Sequence, residues 1–151
     1  MNDTTPEPRK SDLGTDITLL GPEHVRRYQE THGEVGYLWN GVTAMLVTTK
    51  GRKSGEMRTI PIIFTQVNDA QIIIASKGGA PDHPAWYLNV AADPHVRVQI
   101  KGEVFAATAR TATGDERAAL WAAAVAQWPA YDIYQSRTSR VIPVVVLERK
   151  V

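Results

Sequence analysis

The chain has 151 residues, 43% of them hydrophobic and 22% charged, and a formal net charge of +1. That is the length of one ordinary domain with enough apolar material for a core, and too little excess positive charge for a general nucleic-acid binder. It contains no cysteine, which excludes disulfides, thiolate nucleophiles and cysteine-based zinc sites and favours the cytoplasm.

Residues 1–20 open on a polar stretch without the apolar run of a signal peptide and read as a flexible arm, leaving one domain over 21–151. No stretch reaches the roughly 20 apolar residues of a membrane span, so stable membrane insertion is not expected. Pro22–His32 reads as a short helix, with a proline where a first turn tolerates it and Gly33 where the helix can stop. Three extended runs follow, Val42–Thr49, Thr59–Thr65 and Gln71–Ser76, rich in the β-branched and aromatic residues that strands favour. Asn68 and Asp69 supply a turn that makes the last two a hairpin.

His83–Ala92 reads as a helix ended by Asp93 before Pro94. Val96, Val98 and Ile100 then alternate with Arg97, Gln99 and Lys101, the pattern of a half-buried strand, and Gly102 and Glu103 turn into a second run, Val104–Arg110. Thr113 and Glu116 match a capping box opening an alanine-rich helix to Gln127, and the apolar Val141–Leu147 is a closing strand. Six strands at hairpin spacing with few helices predict a mainly β (α+β) fold, an antiparallel barrel with flanking helices.

Chemistry concentrates in three segments. Between two predicted strands, the loop from Thr48 to Arg58 carries four cations within nine residues, Lys50, Arg52, Lys53 and Arg58. Gly51 and Gly55 let its backbone bend so that amides converge, and with Arg52, Lys53 and Arg58 they suit a phosphate or polycarboxylate. The same residues also suit a plain solvated hairpin tip. Ala75-Ser76-Lys77-Gly78-Gly79 sits at a strand-to-helix junction, where its amides can meet a ring carbonyl or a phosphate. Trp86, Trp128, Tyr131 and Tyr134 form the third group. Tyr131 and Tyr134 share one face of a helical turn, and Pro129, Asp132, Gln135 and Ser136 among them favour a partly exposed lid over a sealed core. The histidines show no ligand spacing with carboxylates, so no metal site is expected, and no serine sits in a nucleophile elbow.

The segments TTKGRKSGEMRTIP, IIIASKGGAPDHPAWYLNVAADPHVRVQI and WPAYDIYQSRTSRVIPVVVLE, in this order, resemble the deazaflavin-dependent nitroreductase family of actinobacteria from about Val42 to Glu148. The resemblance implies a split β-barrel of the FMN-binding, pyridoxamine oxidase-like type. It also implies coenzyme F-420, an 8-hydroxy-5-deazaflavin with a phospholactyl-oligoglutamate tail. By that analogy Thr48, Arg52, Lys53, Ser54, Gly55 and Arg58 hold the tail, while Pro61, Ala75, Ser76 and Lys77 lie beside the ring. Ile63, Trp86, Trp128, Tyr131 and Tyr134 then line an acceptor pocket, with Tyr134, Ser76 and Tyr131 as the polar groups nearest the chemistry. The implied reaction is hydride transfer to a small or lipophilic organic acceptor: an activated alkene (enone), a quinone or a nitro compound. Ile63 and Trp128 stand where nitro-reducing relatives tend to have tyrosines, which implies a more apolar pocket and disfavours nitroimidazoles. An FMN-dependent reductase or oxidase of the same fold, and a non-catalytic binder of deazaflavin, haem or lipid, are the alternatives. Fold analogy suggests a homodimer, and relatives that reduce menaquinone extend the cytoplasmic expectation to the membrane surface.

Overall fold

A computed structural model describes residues 19–150. Residues 1–18, most of the expected N-terminal arm, lie outside the described residues. Eight strands and four α-helices follow one another among the described residues. They are α1 (Gly21–Thr31), β1 (Leu38–Trp39), β2 (Val42–Lys50), β3 (Met57–Ile63), β4 (Thr65–Val67), β5 (Ala70–Ile74), α2 (Ala85–Ala92), β6 (His95–Ile100), β7 (Glu103–Thr111), α3 (Gly114–Gln127), α4 (Ala130–Ser136) and β8 (Val144–Arg149). All strand pairs are antiparallel, in the order β1-β2-β6-β7-β8-β5-β4, and β3 pairs with β2 along the edge opposite β6, Leu46 facing Pro61 on one side and Gln99 on the other. The mainly β sheet with helices around it is the architecture expected from the sequence.

The extended run read as Thr59–Thr65 is two strands that change partner at Phe64. Up to Ile63 it pairs with β2, and from Thr65 it pairs with β5. The switch point is held on both sides: the Phe64 amide donates to the Thr43 carbonyl at 3.2 Å, and the Phe64 carbonyl accepts from the Gln127 amide at 2.9 Å. Strands at opposite ends of the sheet order are therefore consecutive in the chain, and the sheet curls toward a barrel.

Alternation along β5 separates two apolar clusters. Ile73 joins Met45, Val47, Val98 and Leu147 inside the curl, whereas Ile72 and Ile74 join Val144, Val146, Leu120, Ala124 and Tyr131 beneath α3 and α4. Covered on both faces, β5 and β8 lose the polar alternation seen in β6. Each such buried aliphatic side chain stabilises the fold by about 1.5–3 kcal/mol.

Two local readings change. Thr113 does precede α3, but its side chain makes no cap hydrogen bond, and Glu116 is instead drawn to Arg110 through bonds of 2.7 and 2.8 Å. A bidentate arginine outcompetes the backbone amide for that carboxylate. The closing strand begins at Val144, not Val141, because the lead-in residue Pro143 has no amide to give the ladder, and its carbonyl accepts from Ala75 at 3.0 Å.

Candidate active site

A cavity of about 610 Å³ opens between α1, the β3 edge, the turn after β5 and the aromatic segment around α4. Of the residues singled out in the sequence, it is lined by Pro61, Ile63, Ser76, Lys77, Trp86, Trp128, Tyr131 and Tyr134. The structure thus brings together two segments some fifty residues apart, 76–86 and 128–134. Trp86 and Tyr131 are buried, while Trp128 and Tyr134 are half-buried, so the aromatic group is partly core and partly wall. Tyr131 and Tyr134 meet edge to face with ring centroids 6.1 Å apart, as their spacing requires. Burial, and then the neighbouring Tyr134, push the Tyr131 phenol well above its ordinary range, so it stays a protonated donor.

Ala75 and Thr48 do not reach this cavity. Ala75 is fully buried in the core behind the turn. Thr48 bonds Thr59 at 2.8 Å and lines a separate groove with Met57 and Arg97. One residue further on, the side chain points the other way: Thr49 is buried and accepts from the Asn89 amide at 3.1 Å.

The basic loop lies at the far end of the β2–β3 pair. Its turn is closed by Gly55 donating to the Gly51 carbonyl at 2.8 Å and by the Ser54 hydroxyl accepting from the Glu56 amide at 3.1 Å. Arg52 is tied to α2, because its backbone amide and guanidinium both donate to Asn89 Oδ1, at 3.2 and 3.0 Å. Among the described residues no carboxylate lies within ion-pair distance of Arg52 or Lys53, whereas Arg58 meets Glu56 at 3.6 Å in an exposed pair. Register links loop and cavity: Lys50 faces Met57 next to the loop and Leu46 faces Pro61 on the cavity wall. Four residues of strand separate the two, roughly 13 Å.

The turn after β5 is pinned against α4. Gly79 sits at φ +87°, and a Cβ there would lie 2.5 Å from the Tyr134 carbonyl oxygen. Arg140, just before β8, holds the turn from behind: it donates to the carbonyls of Ala75 (3.2 Å), Ser76 (2.8 Å) and Ala80 (2.8 Å). Lys77 is paired with Asp82 at 3.1 Å.

Sequence reasoning missed Asn89, Arg140, Trp39 and His24. The two polar ties leave no signal in periodicity, since each acts on backbone or side-chain atoms far away in the chain. Trp39 and His24 line the α1 end of the cavity, and neither belongs to a motif or periodic pattern that marks it.

The chain matches the family described as F420H(2)-dependent quinone reductase over residues 21–149. It is 39% identical over 132 residues to the F420H(2)-dependent quinone reductase Rv1261c of Mycobacterium tuberculosis, covering 84% of this chain and 88% of that one. It is 44% identical to the solved structure of an F420-H2 dependent reductase (FDR-A), with a TM-score of 0.65 over 70% of this chain and 93% of that chain. A Listeria innocua protein assigned as a pyridoxamine 5'-phosphate oxidase shares the fold alone, at 12% identity and a TM-score of 0.52 over 72% of this chain and 84% of that one. The expected split barrel of the FMN-binding type is therefore the fold, and the choice between the two coenzymes falls to the deazaflavin. Taken with the cavity and the cationic loop, these matches mean that the chain belongs to the F420H(2)-dependent quinone reductase family and is an F-420-dependent reductase.

Proposed function

We propose that this chain reduces a quinone in the 610 Å³ cavity, using reduced F-420 held between that cavity and the basic loop. The observation that carries the reading is the register of β3, which joins an apolar wall at Pro61–Ile63 to a loop whose Arg52 and Lys53 have no carboxylate partner among the described residues. That arrangement fits a molecule with a planar ring at one end and anionic groups at the other. Arg52, Lys53, Ser54, Gly55 and Arg58 would hold the phosphate and glutamates, by charge-assisted hydrogen bonds and backbone amides. Pro61, Ser76 and Lys77 would flank the ring, the Gly79 approach fixing that turn against α4.

When bound, reduced F-420 supplies a hydride. The chain's part is to exclude water, hold the acceptor face to face, and donate hydrogen bonds to the oxygen that gains charge. Ile63, Trp86 and Trp128 form the apolar walls, and Tyr131, Tyr134 and Ser76 are the donors within reach of the cavity. An apolar Ile63 and Trp128 favour quinones, and next enones, over nitro compounds.

The test is a binding titration of F-420 to the native chain and to a variant with Arg52, Lys53 and Arg58 neutralised, combined with turnover of menadione by reduced F-420. A loss of affinity of tenfold or more, on the order expected for removing several charge-assisted bonds, is the expected result. Equal affinity in both proteins would remove the tail from this loop, and no menadione turnover by the native chain would remove the quinone.

A further inference from the structure

One polar side chain of the cavity has no part in the roles above. His24 on α1 is 3% exposed and lines the cavity at the end away from the Ser76 turn. Its Nε2 lies 2.9 Å from the Gly36 carbonyl oxygen. A carbonyl only accepts, so Nε2 carries the proton, and Nδ1 of the neutral ring is a bare acceptor. Packing fixes which edge faces where. A methyl built on Gly36 would lie 2.8 Å from Cδ2 and 2.9 Å from Nε2 of His24, so that edge is pressed against the backbone. The opposite edge, Nδ1–Cε1, has no hydrogen-bond partner among the described residues, and the residue lines the cavity.

Among the described residues, the surroundings hold the ring in this pose with their own side-chain polar groups already paired. Trp39 stacks on it at 24° with centroids 6.4 Å apart, and the Trp39 indole N–H donates to the Leu19 carbonyl at 2.9 Å. The nearby Tyr28 hydroxyl is occupied as well, donating to the Ala44 carbonyl at 3.1 Å and accepting from the Lys101 amide at 2.9 Å. Leu20, Gly21 and Ala44 complete this end of the wall. Among the described residues it is an apolar recess with one acceptor nitrogen.

We propose that His24 Nδ1 accepts a hydrogen bond from a ligand hydroxyl, so that the cavity binds a hydroquinone-type ring more tightly than a ring of the same shape with no O–H. A quinone carbonyl presents a lone pair to Nδ1 and gains nothing there. Once the quinone has taken up a hydride and a proton, the oxygen that gained the proton is a donor and does gain. Such differential binding favours the reduced side of the reaction. The proposal rests on the reading of the cavity as the acceptor site, but not on the coenzyme.

The test uses the full chain without coenzyme at about pH 8, above the ordinary imidazole range. The probes are 1-naphthol and 1-methoxynaphthalene, matched rings that differ in the O–H, titrated calorimetrically. The native chain is expected to prefer 1-naphthol by roughly three- to tenfold, the worth of one neutral hydrogen bond, and His24→Phe to bring the ratio close to one. Since the variant also loses the Gly36 bond, the nitrogen-15 signal of His24 Nδ1 is followed in the native chain, where saturating 1-naphthol should shift it and 1-methoxynaphthalene should not. An unmoved Nδ1 signal, a preference kept in His24→Phe, or no binding of either naphthalene would each overturn the assignment. None of these results depends on where F-420 binds, so a failure here is distinct from a failure of the coenzyme titration.

Discussion

Alanine at Gly79 tests the contact that joins the turn after β5 to the aromatic helix. The residue is buried at φ +87°, and an added Cβ would lie 2.5 Å from the Tyr134 carbonyl oxygen and 3.0 Å from Arg137 Cβ. An L-residue in the left-handed region costs about 1–2 kcal/mol. Forcing a packed backbone apart to admit a methyl costs about 1–3 kcal/mol more. Gly78 is the matched control: it has φ +65° with nothing within 4 Å of a built Cβ, so Gly78→Ala carries only the first cost. The difference between the two variants, about 1–3 kcal/mol, is a factor of roughly 5 to 150 in the unfolding equilibrium. Urea melts followed by tryptophan fluorescence measure it as a shift in midpoint at constant slope. Because relief requires α4 to move, Gly79→Ala should also raise the KM for the acceptor. Equal midpoints for the two variants would mean that the turn and the helix are not pressed together in this way.

Asn89→Ala removes the acceptor shared by the Arg52 amide and guanidinium and the donor to buried Thr49, so a loss of about 1–3 kcal/mol in denaturant melts is expected, with weaker F-420 binding by titration. Tyr134→Phe should lower kcat for menadione by tenfold or more with little change in KM, since a donor to a developing charge acts mainly in the transition state; steady-state kinetics that move KM alone would count against that role. Burial lowers the His24 pKa below 6.5 against the smaller opposing effect of the Gly36 bond, so the unfolded chain takes up its proton first. Stability should therefore fall as pH drops below about 6.5, until the folded-state pKa is passed, and His24→Phe should flatten that limb of the melts. Tyr28 is shifted the other way, from 10.0 up to about 12 by burial, so melts should lose stability between those two values as the unfolded phenol ionises first, and Tyr28→Phe should remove that slope.

The parts of the fold legible in the sequence are those that periodicity or turn chemistry encodes locally. The β6 alternation, the Asn68-Asp69 hairpin turn and the Asp93-Pro94 helix end all appear where the residues place them. The partner switch at Phe64 was not legible, because an unbroken Thr59–Thr65 run looks the same whether it pairs with one strand or two; the change is made by Thr43 and Gln127, far away in the chain. The capping box failed for a related reason, Arg110 on β7 being a better partner for Glu116 than the helix amides. Within the site, the loop and the aromatics stood out by composition, while the face of each strand residue did not. Thr48 and Thr49 are chemically alike and differ only in which side of β2 they occupy.

The placement of charge explains which acceptors the cavity suits. Arg52 and Lys53, which have no carboxylate partner among the described residues, belong to a loop about 13 Å of strand away from Pro61. At that separation, beyond the Debye length of about 8–10 Å, an exposed cation contributes only a few tenths of a kcal/mol at the cavity. An anionic tail held there, as proposed, would therefore leave the reacting end electrostatically undisturbed. Lys77 is the one lysine or arginine among the described residues lining the cavity, and its charge is offset by Asp82 at 3.1 Å. What the cavity itself presents is neutral: two phenols, one of them kept protonated by burial, a serine hydroxyl and a neutral imidazole. Neutral donors cost little to leave facing an uncharged ring and strengthen when an oxygen gains charge, whereas a fixed cation would hold an anionic product in place. On the proposed reading of the cavity, such a lining suits an uncharged acceptor and an uncharged product, which a quinone and its hydroquinone both are.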